Sequence, residues 1–144
     1  MERFRMELES LSKNEEFARV VVAVFLSRLD PTLEEIDDVK TAVSEAVTNA
    51  EIHGYGGEKG AITVEVETEG KELTVVVEDY GVGIRDIEKA MEPMFTTDKT
   101  GTRSGMGFSF MEAFMDRLEV ESAAGEGTVV KMWKEIGAPA PHYE

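Results

Sequence analysis

Cysteine is missing from this 144-residue chain, and histidine occurs only at positions 53 and 142. Without thiols there is no disulfide and no thiolate ligand, and two imidazoles alone argue against a zinc site. Long apolar runs are missing as well. No stretch approaches the roughly 18 residues that a membrane-spanning helix needs, and the opening Met1-Glu2-Arg3-Phe4-Arg5 has no apolar stretch of the secretory kind. The expectation is a cytoplasmic protein with no membrane association. Basic residues are scarce: 15 Lys and Arg stand against 30 Asp and Glu, for a net charge of −15. Nucleic-acid binding relies on Lys and Arg neutralising phosphates, so direct contact with DNA or RNA is not expected. A ligand carrying phosphate must then be held by backbone amides, a metal ion or a few placed cations. The acidic surplus favours a basic protein partner, or serves solubility alone.

Familiar phosphate-binding signatures are absent too. There is no G-x-x-x-x-G-K-[ST] loop and no G-x-G-x-x-G after a strand, so neither a P-loop enzyme nor a dinucleotide fold is indicated. Asp79-Tyr80-Gly81 invites comparison with the D-F-G of eukaryotic-type protein kinases, but no H-R-D loop or V-A-I-K strand accompanies it.

What is present reads as one domain. The chain is 42% hydrophobic, enough for a core, with residues 1–136 as the domain and 137–144, containing Ala138-Pro139-Ala140-Pro141, as a disordered tail. Phe4, Met6 and Leu8 alternate with charged neighbours, the pattern of a half-buried strand. Ser12-Lys13-Asn14-Glu15 has capping-box spacing, and a very apolar helix follows from Phe17 to Leu29. The run from Val20 to Phe25 also suits a strand, but length and the cap favour helix. Asp30-Pro31 breaks it, and Thr32-Leu33-Glu34-Glu35 caps a second helix. There Val39, Ala42, Val43, Ala46, Val47 and Ala50 fall on one apolar face. Glu45, Asn49 and His53, four apart, make a polar stripe along its edge, and Gly54 takes the C′ position glycine prefers.

A hairpin follows, with Ile62, Val64 and Val66 in one strand and Leu73, Val75 and Val77 in the next. The second strand runs into Asp79-Tyr80-Gly81-Val82-Gly83. A short helix from Asp86 to Met91, an irregular polar stretch from Thr96 to Ser104, and a helix from Gly105-Met106-Gly107 to about Asp116 come next. Leu118 and Val120 begin a strand, Gly125-Glu126-Gly127 turns it, and Thr128 to Trp133 return. The expected class is α+β: a two-layer α/β sandwich with a mixed, mostly antiparallel sheet and helices on one face.

Four boxes in fixed order then stand out: Glu45-x-x-x-Asn49 on a helix, Asp79-x-Gly81-x-Gly83 at a strand end, Gly105-x-Gly107 opening a helix, and a strand starting at Thr128. This order resembles the GHKL (Bergerat-fold) superfamily of gyrase B, Hsp90, MutL and histidine-kinase catalytic domains, over about residues 35–134. The stretch from Val43 to Ala50, Ile52-His53-Gly54-Tyr55, Phe95-Thr96-Thr97 and Arg103-Ser104-Gly105-Met106-Gly107-Phe108 resemble the sporulation anti-sigma F factors more closely. So does Glu15-x-Phe17-Ala18-Arg19-Val20 in the first helix.

The resemblance implies a serine protein kinase that binds ATP or ADP with Mg²⁺, silences a sigma factor of the sigma-F type, and phosphorylates an anti-anti-sigma protein on serine. By that resemblance Asn49 binds Mg²⁺, Asp79 reads the adenine amino group, and Thr128 reaches the adenine through water. Gly81 and Gly83 let the backbone approach the base. Gly105 and Gly107 present amides to the triphosphate at a helix start, and Thr97, Arg103, Ser104 and Met106 complete the nucleotide site, with Arg103 on the terminal phosphate. Glu45 is the candidate general base, because an oxygen nucleophile gains from a carboxylate whereas a histidine nitrogen does not need one. Arg19 is the expected partner contact, and the first strand and helix the expected homodimer region. Two alternatives stay open: a general-stress-type anti-sigma kinase, and a GHKL module that hydrolyses ATP. A nucleotide site surviving only as a vestige in a pure binding protein is a third reading, against which intact Glu45, Asn49 and Asp79 argue.

Overall fold

Alternation of apolar and charged residues makes the first element a strand, and its pairing shows which face is inner. The computed structural model describes residues 1–83 and 107–137. In order these form β1 (Glu2–Glu9), α1 (Ser12–Leu26) continued by a 3₁₀ turn at Ser27–Leu29, α2 (Leu33–Asn49) continued by a π turn at Ala50–Gly54, β2 (Ala61–Glu69), β3 (Glu72–Asp79), α3 (Gly107–Phe114), β4 (Arg117–Ser122) and β5 (Thr128–Glu135). The strands make one five-stranded sheet in the order β1-β2-β3-β5-β4. Every pairing among the described residues is antiparallel.

The register stacks Met6, Val64, Val77, Val130 and Val120 in one row across the sheet. These belong to the core or pack against it, together with Val22 and Leu26 of α1, Val39 to Ala50 of α2, and Met111 of α3. The three helices therefore cover one face, the sandwich that the alternating strands and apolar helix faces predict. Among the described residues no helix is long and apolar enough to cross a membrane.

Helix starts divide the two capping boxes. At α2 the box forms: the Thr32 hydroxyl accepts the Glu35 N–H at 3.1 Å and Glu35 accepts the Thr32 N–H at 2.8 Å. At α1 it does not. Leu11 takes the N-cap place with no side-chain bond, and the Glu15 carboxylate is drawn away to Arg19 at 3.3 Å and to the Ser44 hydroxyl on α2. A charged partner and a neighbouring helix outbid a single backbone N–H.

Gly54 also differs from its reading as a left-handed C′ residue, since it is not among the positions with positive φ. The helix leaves through the π turn instead, with the Tyr55 N–H on the Ala50 carbonyl at 3.1 Å. Asp30 is the left-handed residue, at φ 57°, where α1 and its 3₁₀ turn stop.

α3 ends at Phe114, two residues before the expected Asp116. The Lys134 ammonium, half-sunk at the sheet's inner face, donates to the Phe114 carbonyl at 2.7 Å, a favourable charge at a helix C-terminus. The Asp116 N–H meanwhile bonds the Trp133 carbonyl. The expected helix at 86–91, the polar stretch at 96–104 and the tail beyond Gly137 lie outside the described residues.

Candidate active site

The site grows out of one row of the sheet. Leu8, Ile62, Asp79, Thr128 and Ser122 lie side by side across the five strands. Asp79, the last residue of β3, is 5% exposed. Its Oδ1 accepts the Gly81 N–H at 2.9 Å. Burial pushes its carboxyl above the ordinary aspartate range and the Glu78 charge adds to this, while the Gly81 N–H opposes it. Directly across the ladder stands Thr128, also buried, whose hydroxyl is 2.8 Å from that of Ser122. Ser122 in turn donates to the Gly127 carbonyl at 2.7 Å.

Backbone closes around the Asp79 carboxylate. A Cβ at Gly54 would stand 2.7 Å from Asp79 Oδ1, and one at Gly81 would run into the Gly54 carbonyl. That carbonyl accepts the Val82 N–H at 2.9 Å. Side chains at Gly83 and Gly127 would strike the carbonyls of Ala123 and Asp79. Close approach thus requires glycine here, a positive φ at Gly83 (75°) and Gly127 (79°) requires it as well, and Gly54 packs on Asp79 rather than ending the helix in a left-handed turn.

α2 leads into the π turn that carries Gly54. Glu45 and Asn49, one turn apart and both half-buried, follow each other along the helix edge. His53 sits in the π turn, also half-buried, immediately before Gly54. Gly107 opens α3, and Thr97, Arg103, Ser104, Gly105 and Met106 lie outside the described residues. Arg19 is on α1, ion-paired to Glu15, and Phe17, Val20 and Val24 of the same helix are exposed.

The arrangement is a buried acceptor at a sheet end, packed on Gly54 of the turn that continues α2. The anti-sigma F factor of Thermoanaerobacter sp. (strain X514) is 58% identical over 135 residues, covering 92% of this chain and 94% of its own length. That of Clostridium acetobutylicum is 59% identical over 134 residues, with the same coverage. This chain belongs to the anti-sigma F factor family. Residues 8–134 match the family model described as a histidine kinase-like ATPase domain. Among solved structures, the RsbU and RsbW domains of a Mycobacterium tuberculosis protein align with 100% of this chain and 34% of that one, at 19% identity and a TM-score of 0.68. The catalytic domain of histidine kinase ThkA aligns at 18% identity and a TM-score of 0.55, over 94% and 97% of the two chains. Those two likenesses concern the fold.

Within this anti-sigma F family member, Asp79, Gly81, Gly83 and Thr128 come together at one end of the sheet. Sequence reasoning missed Gly54, Gly127 and Ser122 as parts of the same wall. Their signal was the register: once Asp79 faces Thr128, the neighbours of both are committed.

Proposed function

We propose that this chain is an Mg-ATP-dependent serine protein kinase that also binds and silences a sigma factor of the sigma-F type in the cytoplasm. Asp79 carries the reading. A buried carboxylate with a raised pKa, set among glycine backbones, is costly unless a donor meets it, and the 6-amino group of adenine is such a donor. Thr128, across the ladder, adds a hydroxyl within the same row. Asn49 offers a neutral hard oxygen suited to Mg²⁺, a metal that takes few protein ligands when phosphates supply the others. The amide end of α3 at Gly107 favours anionic phosphate, and Arg103 and the rest of the 97–106 segment complete the phosphate side. Bound ATP supplies the phosphoryl group, and its Mg²⁺ offsets the phosphate charge. Glu45 accepts the proton of the attacking serine hydroxyl, the step that distinguishes an oxygen nucleophile from a histidine nitrogen. The substrate is a serine of an anti-anti-sigma protein. Residues 1–136 make up the working domain and 137–144 its tail.

The deciding experiment is incubation with radiolabelled ATP, Mg²⁺ and a purified anti-anti-sigma protein, followed by mapping of the label. Label on a partner serine, lost in Glu45→Ala while ATP still binds, is expected. Free phosphate without label would instead select the ATP-hydrolysing alternative.

A homodimer is part of the proposal, and β1 supports it by its own charges. Arg3, Arg5, Glu7 and Glu9 point to the exposed face, while Phe4, Met6 and Leu8 point inward and are half-buried. One edge of β1 pairs with β2, and β1 is the end strand of the sheet. A second β1 laid antiparallel with Met6 opposite Met6 sets Arg5 against Glu7, Arg3 against Glu9 and Phe4 against Leu8. The strand is complementary to itself in that register, and opposite charges across a ladder stabilise it. Phe17, Val20 and Val24, spaced along one exposed side of α1, give the same association an apolar helix contact, and Arg19 on another side of that helix serves the sigma and anti-anti-sigma partners.

A further inference from the structure

The ladder between β2 and β3 ends at Ile62 opposite Asp79. Extended by one residue, the same register sets Ala61 opposite Tyr80. A direct bond between those two is not what the chain makes there. The Tyr55 hydroxyl stands between them, donating to the Ala61 carbonyl and accepting the Tyr80 N–H at 2.8 Å. Both hydrogen-bonding capacities of that hydroxyl are thereby used, and the side chain is spliced into the sheet as a wedge.

The wedge is itself held. A Cβ at Gly60 would collide with the Tyr55 ring, so the ring lies flush on that backbone. Gly60 is anchored in turn: its N–H donates to the Ser10 hydroxyl at 2.8 Å and its carbonyl accepts the Ser10 N–H at 2.9 Å. On either side of the wedge stands a neighbour of Asp79. Gly54, which precedes Tyr55, packs on the Asp79 carboxylate, and Tyr80, which Tyr55 bonds, follows Asp79 in the chain.

We infer that Tyr55 is a positioning residue for base recognition: its hydroxyl holds the β3 exit open and aims the Asp79 carboxylate at the amino group of the nucleobase. The inference rests on the adenine-nucleotide reading above. It touches neither the phosphates nor the proton transfer, so its effect is confined to the donor that Asp79 meets.

That confinement supplies the test. Equilibrium affinities for ATP and for purine riboside triphosphate, which is ATP without its 6-amino group, are measured for the wild type, Tyr55→Phe and Asp79→Asn. Phe keeps the ring on Gly60 and removes only the wedge's two bonds. In Y55F the ATP affinity falls about tenfold, while the affinity for the analogue stays within about twofold, so the preference for the amino group collapses toward that of D79N. Equal weakening of both nucleotides would mean that Tyr55 only supports the fold, and would overturn the inference. So would an unchanged preference in Y55F when D79N has lost it. If D79N itself keeps the preference, the adenine reading fails, and the inference goes with it.

Discussion

Replacing Asp79 by Asn separates what the carboxylate does for a ligand from what it does to the fold. The two side chains have nearly the same shape, and the Asn oxygen can still accept the Gly81 N–H that Asp79 Oδ1 now holds at 2.9 Å. The Gly54 contact is kept as well. The charge is lost, and the other carboxylate oxygen becomes an NH₂ that donates instead of accepting. A hydrogen bond to a charged acceptor contributes about 1.5–3 kcal/mol, so ATP affinity should fall about 10- to 150-fold.

Without nucleotide the sign reverses. Burial, with Glu78 adding and Gly81 opposing, raises the Asp79 pKa, so the native state holds this proton more tightly than the unfolded chain does. The stability linked to it is complete below the unfolded value of about 3.9 and is lost as pH rises through the raised native value. Above that raised value the ionised group weakens the nucleotide-free fold, and Asn relieves that. Thermal melting at pH 7, with and without ATP·Mg in excess over both dissociation constants, reads both effects. The nucleotide-free D79N protein should melt no lower than the wild type. Its rise on adding ATP should be smaller by about 3–12 °C, at about 2–4 °C per kcal/mol for a chain of this size. A lower nucleotide-free melting point together with an undiminished ATP rise would refute the reasoning.

Glu35→Gln addresses a carboxylate shifted the other way. Burial is the largest single influence on Glu35 and raises its pKa, but the N–H groups of Thr32 and Gly137, the Thr32 hydroxyl and the Lys134 charge together carry it below the ordinary value. Its contribution is thus present above the unfolded value of about 4.3 and lost as pH falls through the native one. E35Q should cost about 0.5–2 kcal/mol at neutral pH, the scale of a capping interaction, and the gap between urea midpoints should close below about pH 4; a gap constant with pH speaks against it. For the homodimer, Arg5→Glu puts like charges opposite each other twice by symmetry and should weaken association by roughly 1–4 kcal/mol. The Arg5→Glu, Glu7→Arg double variant should restore it in sedimentation equilibrium, and failure of that rescue removes the proposed register.

Periodicity carried the elements into view. The apolar face from Val39 to Ala50 and the hairpin alternation around Ile62 and Val75 are local patterns, and all of those residues are buried. What escaped was whatever depends on two distant segments. Glu15 reads as a cap from its own four residues, and only the arrival of Ser44, 29 positions away, shows why it is not one. Gly54 reads as a helix stop until β3 brings Asp79 against it. Tyr55 has no local signature at all, because its partners Ala61 and Tyr80 become neighbours only when the sheet forms. The roles of Asn49, Asp79 and Thr128 came from family resemblance, and the register explains why two of them belong together.

The enclosure of Asp79 is main chain meeting its carboxylate at Gly54 and main chain meeting main chain at Gly81 and Gly127. Such a wall has no side chains to lengthen, trim or exchange, and any substituent on it meets a carbonyl or the carboxylate. The glycine positions of that wall are therefore closed to one-residue substitution. The outer side of α1, with Phe17, Val20 and Val24 in the open, has no such restriction. One part of the molecule is held to a single solution by its backbone, and the other is open to substitution.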